Sequence, residues 1–248
     1  MRARHLGKLR TLLRASTESG LSALIAQESS LGVPLPLSRH IAVLSASGGV
    51  GCSTLAVDVA GMLARLRGER VRLIDAQGAS PVPALPKGSS VERVSLPSEA
   101  WPGALEAWRE VISAQPSRAE LSVTDWGQVP LSSFQAIADA SHAVCLVVSA
   151  SRRGMDDAAR VVAPLTELVP TAVCFVDAHR TATPATRRLV EQFPVPAVVI
   201  PYDRRRSFST EETLPPDSRA AHELHRLCGD LVSMVVTPPA PAATGGHA

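Results

Sequence analysis

The sequence of 248 residues predicts one α/β domain built on a doubly wound, mostly parallel β-sheet of about seven strands flanked by helices. Short apolar runs alternate along the chain with segments of helical periodicity, and this alternation is typical of parallel strands joined by helical crossover connections. Hydrophobic residues make up 45% of the chain and charged residues 19%, which is enough apolar material for a sizeable core. That composition excludes a disordered or a fibrous protein.

Seven apolar runs are the strand candidates, at residues 41–45, 70–75, 91–96, 121–125, 143–149, 172–177 and 197–201. Helical patterns follow most of them, at residues 53–66, 104–114, 155–168 and 184–193, and a last helix is predicted from residue 219 to about 235. The first helix is the clearest, because its apolar residues recur at a spacing that places them on one face. These residues are Leu55, Ala56, Val59, Ala60 and Leu63.

The two ends of the chain differ in composition from residues 41–236, which we assign to the α/β domain. Residues 1–40 are predicted to form a basic amphipathic helix and a linker, with leucines at helical spacing and five cationic residues before Glu18. This helix either packs on the domain through its leucines or anchors the protein reversibly to an anionic membrane or a partner. Residues 237–248 are rich in Pro, Ala and Gly and are predicted to be a disordered tail.

Charge and cysteine content limit the classes of partner and compartment. The formal net charge is +2 and aromatic residues make up 3%, which argues against nucleic acid as the main ligand. No apolar run reaches the roughly 20 residues that span a bilayer, so we expect a cytoplasmic protein, peripheral to the inner face of the membrane only through its N-terminal helix. The four cysteines, at positions 52, 145, 174 and 228, show no metal-ligand spacing.

The first strand-to-helix turn, residues 45–54, carries the strongest functional signal. Glycines let backbone N–H groups curl around an anion, and the following helix directs its positive dipole end toward it. The general phosphate-loop pattern is G-x-x-x-x-G-K-[ST], and this chain has Gly51 at the second glycine, Cys52 at the lysine and Ser53 at the hydroxyl. The predicted nucleotide-binding residues of the turn are Gly48, Gly49, Val50, Gly51, Cys52, Ser53 and Thr54.

The Gly-Gly-Val-Gly segment, followed after one residue by Ser-Thr, resembles the MinD/ParA family of P-loop ATPases, whose deviant Walker A motif reads K-G-G-x-G-K-[ST]. Residues 71–75 resemble the family's second strand, residues 121–125 its Walker B strand, residues 138–148 the following helix and strand, and residues 199–203 its adenine-side loop. The resemblance covers residues 41–236 and implies a P-loop NTPase-like fold that binds ATP or ADP with Mg²⁺. It assigns Ser53 and Asp125 to Mg²⁺, and Asp75, Asp177, Pro201 and Tyr202 to the nucleotide.

Three positions depart from the family pattern. Ser47 replaces the signature lysine that reaches across a dimer, Cys52 replaces the phosphate-loop lysine, and Gln77 replaces the aspartate that orients the attacking water. A lysine–phosphate contact contributes roughly 1.5–3 kcal/mol, and loss of a cation slows phosphoryl transfer by roughly a thousandfold or more. Gln77 can still orient a water but cannot take its proton. We therefore predict a degenerate, hydrolysis-deficient member.

Other interpretations of the same residues stay open. The glycine-rich turn either holds no ligand at all or binds a nucleotide or another anion without turnover. Arg152 or Arg153, which follow the strand at 143–149, could supply the missing cation to an active ATPase. Cys52 could be redox-sensitive, since a thiol at a helix N-terminus has a lowered pKa. Asp75 and Asp125 could simply cap the turns that follow them.

The resemblance, together with these three departures, implies a MinD/ParA-like pseudo-ATPase, a scaffold or regulator that positions or assembles a bacterial machine such as a septum, pilus, secretion system or partition apparatus. Its partner would be another protein, such as a motor ATPase, or a second copy of the chain. The basic cluster Arg204, Arg205 and Arg206 is the predicted partner-binding segment. The alternative is a slow or atypical Mg-ATPase of the partitioning type that binds DNA non-specifically through these arginines.

Overall fold

The structure is a computed structural model. It describes residues 32, 34–35, 38–78, 84–85, 89–97, 101–114, 120–203 and 218–236. The predicted N-terminal helix, the arginine cluster 204–206 and the predicted tail lie outside the described residues.

A single seven-stranded sheet, parallel throughout, forms the centre of the described residues, and its strand order is β3-β2-β4-β1-β5-β6-β7. The strands are β1 Arg39–Ser45, β2 Val71–Asp75, β3 Val91–Ser95, β4 Leu121–Gln128, β5 Ala143–Ser149, β6 Thr171–Val176 and β7 Ala197–Ile200. The order places β1 between β4 and β5, so the chain leaves the sheet centre in both directions. The predicted doubly wound α/β fold is confirmed.

Six α-helices of the described ranges flank this sheet. They are α1 Cys52–Arg67, α2 Gly103–Ala114, α3 Phe134–Asp139, α4 Arg152–Thr166, α5 Pro184–Glu191 and α6 Arg219–Val236. The buried residues of α1 and α6 form one core with one face of the sheet, and those of α2 to α5 form a second core with the other face. Within the part of the chain that the structure describes, no helix is long and apolar enough to cross a membrane.

Helix α1 illustrates how the sequence directs these elements. All five apolar residues predicted to share a face are buried in its core. The helix ends at Gly68, which adopts the left-handed conformation (φ 67°) and donates its backbone N–H to the carbonyl oxygen of Ala64. Glycine is favoured there because a Cβ is strained at positive φ.

Strand β4 is three residues longer than predicted. Its pairing with β1 is irregular between Val43 and Leu44, and the nearby Gly127 has a φ of 60°. A bulge of this kind lets a strand continue past a residue that would otherwise end it. The extension carries Gly127 and Gln128 to the sheet edge where the glycine-rich turn lies.

Candidate functional site

The candidate site lies at the carboxyl edge of the sheet, where the glycine-rich turn joins β1 to α1. Asp75 ends β2, and it pairs in register with Asp125 of β4. Both carboxylates are buried. The carboxyl ends of parallel strands are where ligands bind in doubly wound sheets, so the structure brings the predicted residues to the expected place.

The turn contains two glycines in a backbone conformation that other residues rarely adopt. Gly49 and Gly51 have φ values of 72° and 90°, both in the left-handed region, and Gly51 is the N-cap of the 16-residue α1. Gly48 and Gly49 are exposed. On the sheet side, Ser45 Oγ accepts a hydrogen bond from the backbone N–H of Ser47 at 3.0 Å. The loop is thus held at its base and open at its tip.

Cys52, at the position of the phosphate-loop lysine, has its side chain buried in a core of the domain. The residue is only 8% exposed, and its Sγ lies 3.8 Å from the carbonyl oxygen of Gly127. Burial, and then the neighbouring Asp125 carboxylate, raise the pKa of the Cys52 thiol well above its ordinary value. The predicted lowering of this pKa is wrong, because desolvation outweighs the effect of the helix N-terminus. The group is a neutral thiol and supplies no positive charge.

Gln77 lies across the centre of the site. Its side-chain Nε2 donates to Ser53 Oγ at 2.7 Å and to Asp125 Oδ2 at 3.2 Å. Its backbone N–H donates to Asp75 Oδ1 at 3.1 Å, which fixes the start of the side chain. The sequence predicted only that Gln77 could orient a water; it did not indicate that the carboxamide joins these two residues.

Asp125 is the most enclosed acid of the site, with 1% of its surface exposed. Its Oδ1 accepts from the backbone N–H of Gly127 at 3.0 Å, while Gln77 donates to Oδ2. Burial raises the pKa of Asp125, and the hydrogen bonds from Ser53, Gly127 and Gln77 act in the opposite direction.

Magnesium is the ion that the family implies between Ser53 and Asp125. Mg²⁺ requires oxygen ligands in near-octahedral geometry. Here the amide N–H groups of Gln77 face the same two oxygens, and an N–H donor cannot ligate a cation. The residues as they are arranged therefore do not fit Mg²⁺. Elsewhere among the described residues, no cluster of three or more His, Cys, Asp or Glu could hold a metal.

The remaining predicted residues lie farther along the same edge. Asp177 follows β6, and its Oδ1 accepts from the backbone N–H of Thr181 at 2.7 Å, so its carboxylate caps the turn after the strand. Pro201 and Tyr202 follow β7, and the Arg180 guanidinium lies over the Tyr202 ring, 4.5 Å from its centroid.

Arg152 and Arg153 are exposed in the first turn of α4. This helix follows β5, the strand next to β1 in the sheet. Both arginines lie at the same edge of the sheet as the glycine-rich turn. Sequence reasoning missed Gln128, whose Oε1 is 2.7 Å from the place where a Cβ on Gly48 would lie. In the sequence, the only sign of this residue is the Gly127-Gln128 pair that follows Asp125 and Trp126, and such a pair is typical of an ordinary turn.

Burial of the thiols has a direct chemical consequence. All four cysteines are free and buried, so we expect the native protein to react slowly with Ellman's reagent and to release four equivalents once unfolded in guanidinium. The reaction rate of the Cys52 thiol is the informative one, because the other three thiols are wholly inside the cores. One fast equivalent in the native protein, absent in Cys52→Ser, would contradict the inward orientation of this side chain.

Comparison with known proteins agrees with this fold. The family model described as the CobQ/CobB/MinD/ParA nucleotide binding domain matches residues 41–216. No curated protein sequence gives a match. Among solved structures, the chain is similar to the cell division ATPase MinD of Pyrococcus furiosus, with a TM-score of 0.58, 17% identity, and coverage of 80% of this chain and 100% of that one.

Two further structures are similar to the same extent. A ParA family ATPase from Chlorobium tepidum TLS has a TM-score of 0.55 and 15% identity, covering 77% of this chain and 98% of that one. The MinC:MinD cell division protein complex of Aquifex aeolicus gives a TM-score of 0.56 and 17% identity, covering 79% and 96%. At these identities the structures establish the fold, and the family model spans well over half of the chain. The chain therefore belongs to the CobQ/CobB/MinD/ParA nucleotide-binding domain family.

Proposed function

We propose that this chain is a pseudo-ATPase, a member of its family that does not hydrolyse nucleotide and acts as a scaffold or regulator through protein contacts. The observation that carries the proposal is the buried, neutral Cys52 thiol at the position of the phosphate-loop lysine. Catalysis of phosphoryl transfer consists almost wholly of positioning and charge stabilisation. A loop without its lysine lacks the charge stabilisation.

The chain offers no lysine nearby in sequence to replace the missing one. It contains only two lysines, Lys8 and Lys87, and neither belongs to the glycine-rich turn. Ser47, at the position of the signature lysine, carries a hydroxyl. A loss of roughly a thousandfold or more in turnover follows from removing a cation of this kind. Both absent lysines together support a protein whose action does not depend on hydrolysis.

The proposed partner is another protein or a second copy of this chain. The MinC:MinD structure is one in which a protein of this fold is held by a protein partner. The near-neutral formal charge of +2 and the 3% of aromatic residues favour such a partner over nucleic acid. We assign partner contact to Arg204, Arg205 and Arg206, membrane contact to the N-terminal basic segment, and the process to septum, pilus, secretion or partition assembly.

Titration calorimetry with ATP and with ADP, each with Mg²⁺, followed by a phosphate-release assay on the same sample, tests the proposal. We expect no phosphate release above that of an Asp125→Asn variant, which measures contaminating ATPase. Release that the wild type shows and Asp125→Asn lacks would overturn the pseudo-ATPase. In that case Arg152→Ala and Arg153→Ala would identify the replacement cation.

The alternative function is a slow Mg-ATPase of the partitioning type. It is favoured by one observation, the retention of Ser53, Asp75 and Asp125 at one edge of the sheet. If ATP and Mg²⁺ bind with measurable heat and are turned over, this alternative replaces the proposal. Binding without turnover would instead identify a nucleotide-sensing pseudo-ATPase.

A further inference from the structure

The Gln77 carboxamide lies where two oxygens of the site converge. Its Nε2 is 2.7 Å from Ser53 Oγ and 3.2 Å from Asp125 Oδ2, so one nitrogen atom touches both groups. These three residues come from three separate segments of the chain, since Gln77 is 24 residues from Ser53 and 48 from Asp125. We propose that the Gln77 side chain is a built-in substitute for a divalent cation: the carboxamide occupies the position between Ser53 and Asp125 and prevents a metal ion from binding there.

The chemistry of the amide suits this role. A side-chain NH₂ group carries two N–H donors, and here each can point at one of the two oxygens. The amide thus satisfies the lone pairs that a cation would otherwise satisfy. It differs from a cation in being neutral and in having no coordination position, so it does not attract a phosphate by charge and cannot bind a water as a metal ligand.

The surrounding backbone is shaped to admit this side chain. Gly127 has a φ of 60°, and a Cβ at this position would collide with the Cδ, Nε2 and Oε1 atoms of Gln77. The missing Cβ leaves the space that the carboxamide fills. From the other side, the backbone N–H of Gln77 is bonded to Asp75 Oδ1 at 3.1 Å. The amide is therefore held at its base and enclosed at its tip.

This closure predicts that the wild-type site binds a metal ion more weakly than the same site without the amide. A cation can reach Ser53 and Asp125 only after Gln77 gives up two hydrogen bonds, one of them to a carboxylate. The net contribution of two such bonds, one of them to a charged group, corresponds to about tenfold or more in affinity. Removing the amide should restore at least that factor.

Binding of Mn²⁺ alone, without nucleotide, tests the inference by electron paramagnetic resonance on the full chain. We expect Gln77→Ala to bind Mn²⁺ at least about tenfold more tightly than the wild type. We expect the gain to disappear in the double variant Gln77→Ala with Asp125→Asn, and Mg²⁺ to compete for the same site. Equal affinity in wild type and Gln77→Ala, or a gain that survives the loss of Asp125, would overturn the inference.

An isosteric variant covers the case in which Gln77→Ala does not fold. Gln77→Glu keeps the shape of the side chain, replaces the N–H donors by oxygen ligands and places a third carboxylate beside Asp75 and Asp125. We expect its Tm to fall without metal and to rise on addition of Mn²⁺, while the Tm of the wild type stays unchanged. A Gln77→Glu protein whose Tm does not respond to Mn²⁺ would contradict the substitution of an amide for a cation.

The inference rests on the proposed function in one respect, namely that the site does not hydrolyse ATP. The experiments nevertheless test the proposed function and the inference separately. Phosphate release by the wild type would overturn the pseudo-ATPase without affecting the difference in Mn²⁺ binding between wild type and Gln77→Ala. A wild type that binds Mn²⁺ as well as Gln77→Ala, yet releases no phosphate, would overturn the built-in substitute and leave the pseudo-ATPase standing.

Discussion

Gly154→Ala is expected to lower the free energy of unfolding by about 2 kcal/mol or more, although alanine is the better helix former. A Cβ on Gly154 would collide with the backbone carbonyl oxygen of Ser149 and lie 2.7 Å from its Oγ. The first turn of α4 packs directly against the end of β5, so no side-chain rotation can relieve the contact. Relief requires a shift of β5 or α4, and overpacking of this kind typically costs about 1–3 kcal/mol or more.

Urea unfolding followed by circular dichroism measures this effect, with Arg153→Ala as the matched control. Arg153 lies in the same turn of α4 and its side chain is exposed. The control should unfold at the wild-type urea concentration or slightly above it, because alanine favours helix. A loss below about 0.5 kcal/mol in Gly154→Ala would place it among ordinary surface substitutions and would contradict the close packing of β5 and α4.

The order of strands and helices could be predicted from the sequence because each element depends on local pattern. The run at residues 143–149 is apolar up to Val148, as expected of a strand buried on both faces, and the structure has β5 with the same bounds. The end of β4 could not be predicted in this way. Gly127 and Gln128 read as a turn, and only the irregular pairing with β1 allows the strand to include them.

The candidate site was predictable in position but not in its contacts. Asp75 ends its strand as predicted, while Asp125, predicted to end β4, lies three residues before its end and still pairs in register with Asp75. The contact of Gln77 with Ser53 and Asp125 joins residues 24 and 48 positions apart, and no local rule carries that information. Cys52 shows the same limit, since its thiol pKa depends on how deeply the side chain is buried, and a helix N-terminus alone does not determine this.

A second polar cluster lies at the opposite end of the sheet and had no counterpart in the sequence analysis. His40 of β1 is partly buried, and its Nδ1 is 2.6 Å from Ser122 Oγ of β4. The backbone N–H of His40 donates to His142 Nδ1 at 3.1 Å, and the Trp108 ring of α2 meets the imidazole edge-on, with the ring centroids 5.3 Å apart. None of these contacts brings a carboxylate to the imidazole, and Arg72, which also lowers the pKa of His40, forms an ion pair with Glu92.

His40 should make the protein sensitive to acid. Burial, followed by His142, Arg39 and Arg72, lowers the pKa of His40 from 6.5 to about 4. The unfolded chain therefore takes up a proton at a higher pH than the native protein. The stability that neutral His40 contributes is fully present above about pH 6.5 and is lost as pH falls toward about 4. At about 1.4 kcal/mol for each pKa unit, His40 accounts for a loss of about 2–3 kcal/mol across this window.

The variant His40→Asn isolates this contribution, because it keeps an amide near Ser122 and removes the titrating ring. Its free energy of unfolding at about pH 7 should be lower than that of the wild type, since the contact with Trp108 is lost. Its decline between about pH 7 and about pH 4 should be shallower by about 2 kcal/mol, which urea unfolding at a series of pH values would measure. The exposed His222 of α6 supplies the control His222→Asn. Parallel pH curves for wild type and His40→Asn would show that the acid sensitivity arises at other groups.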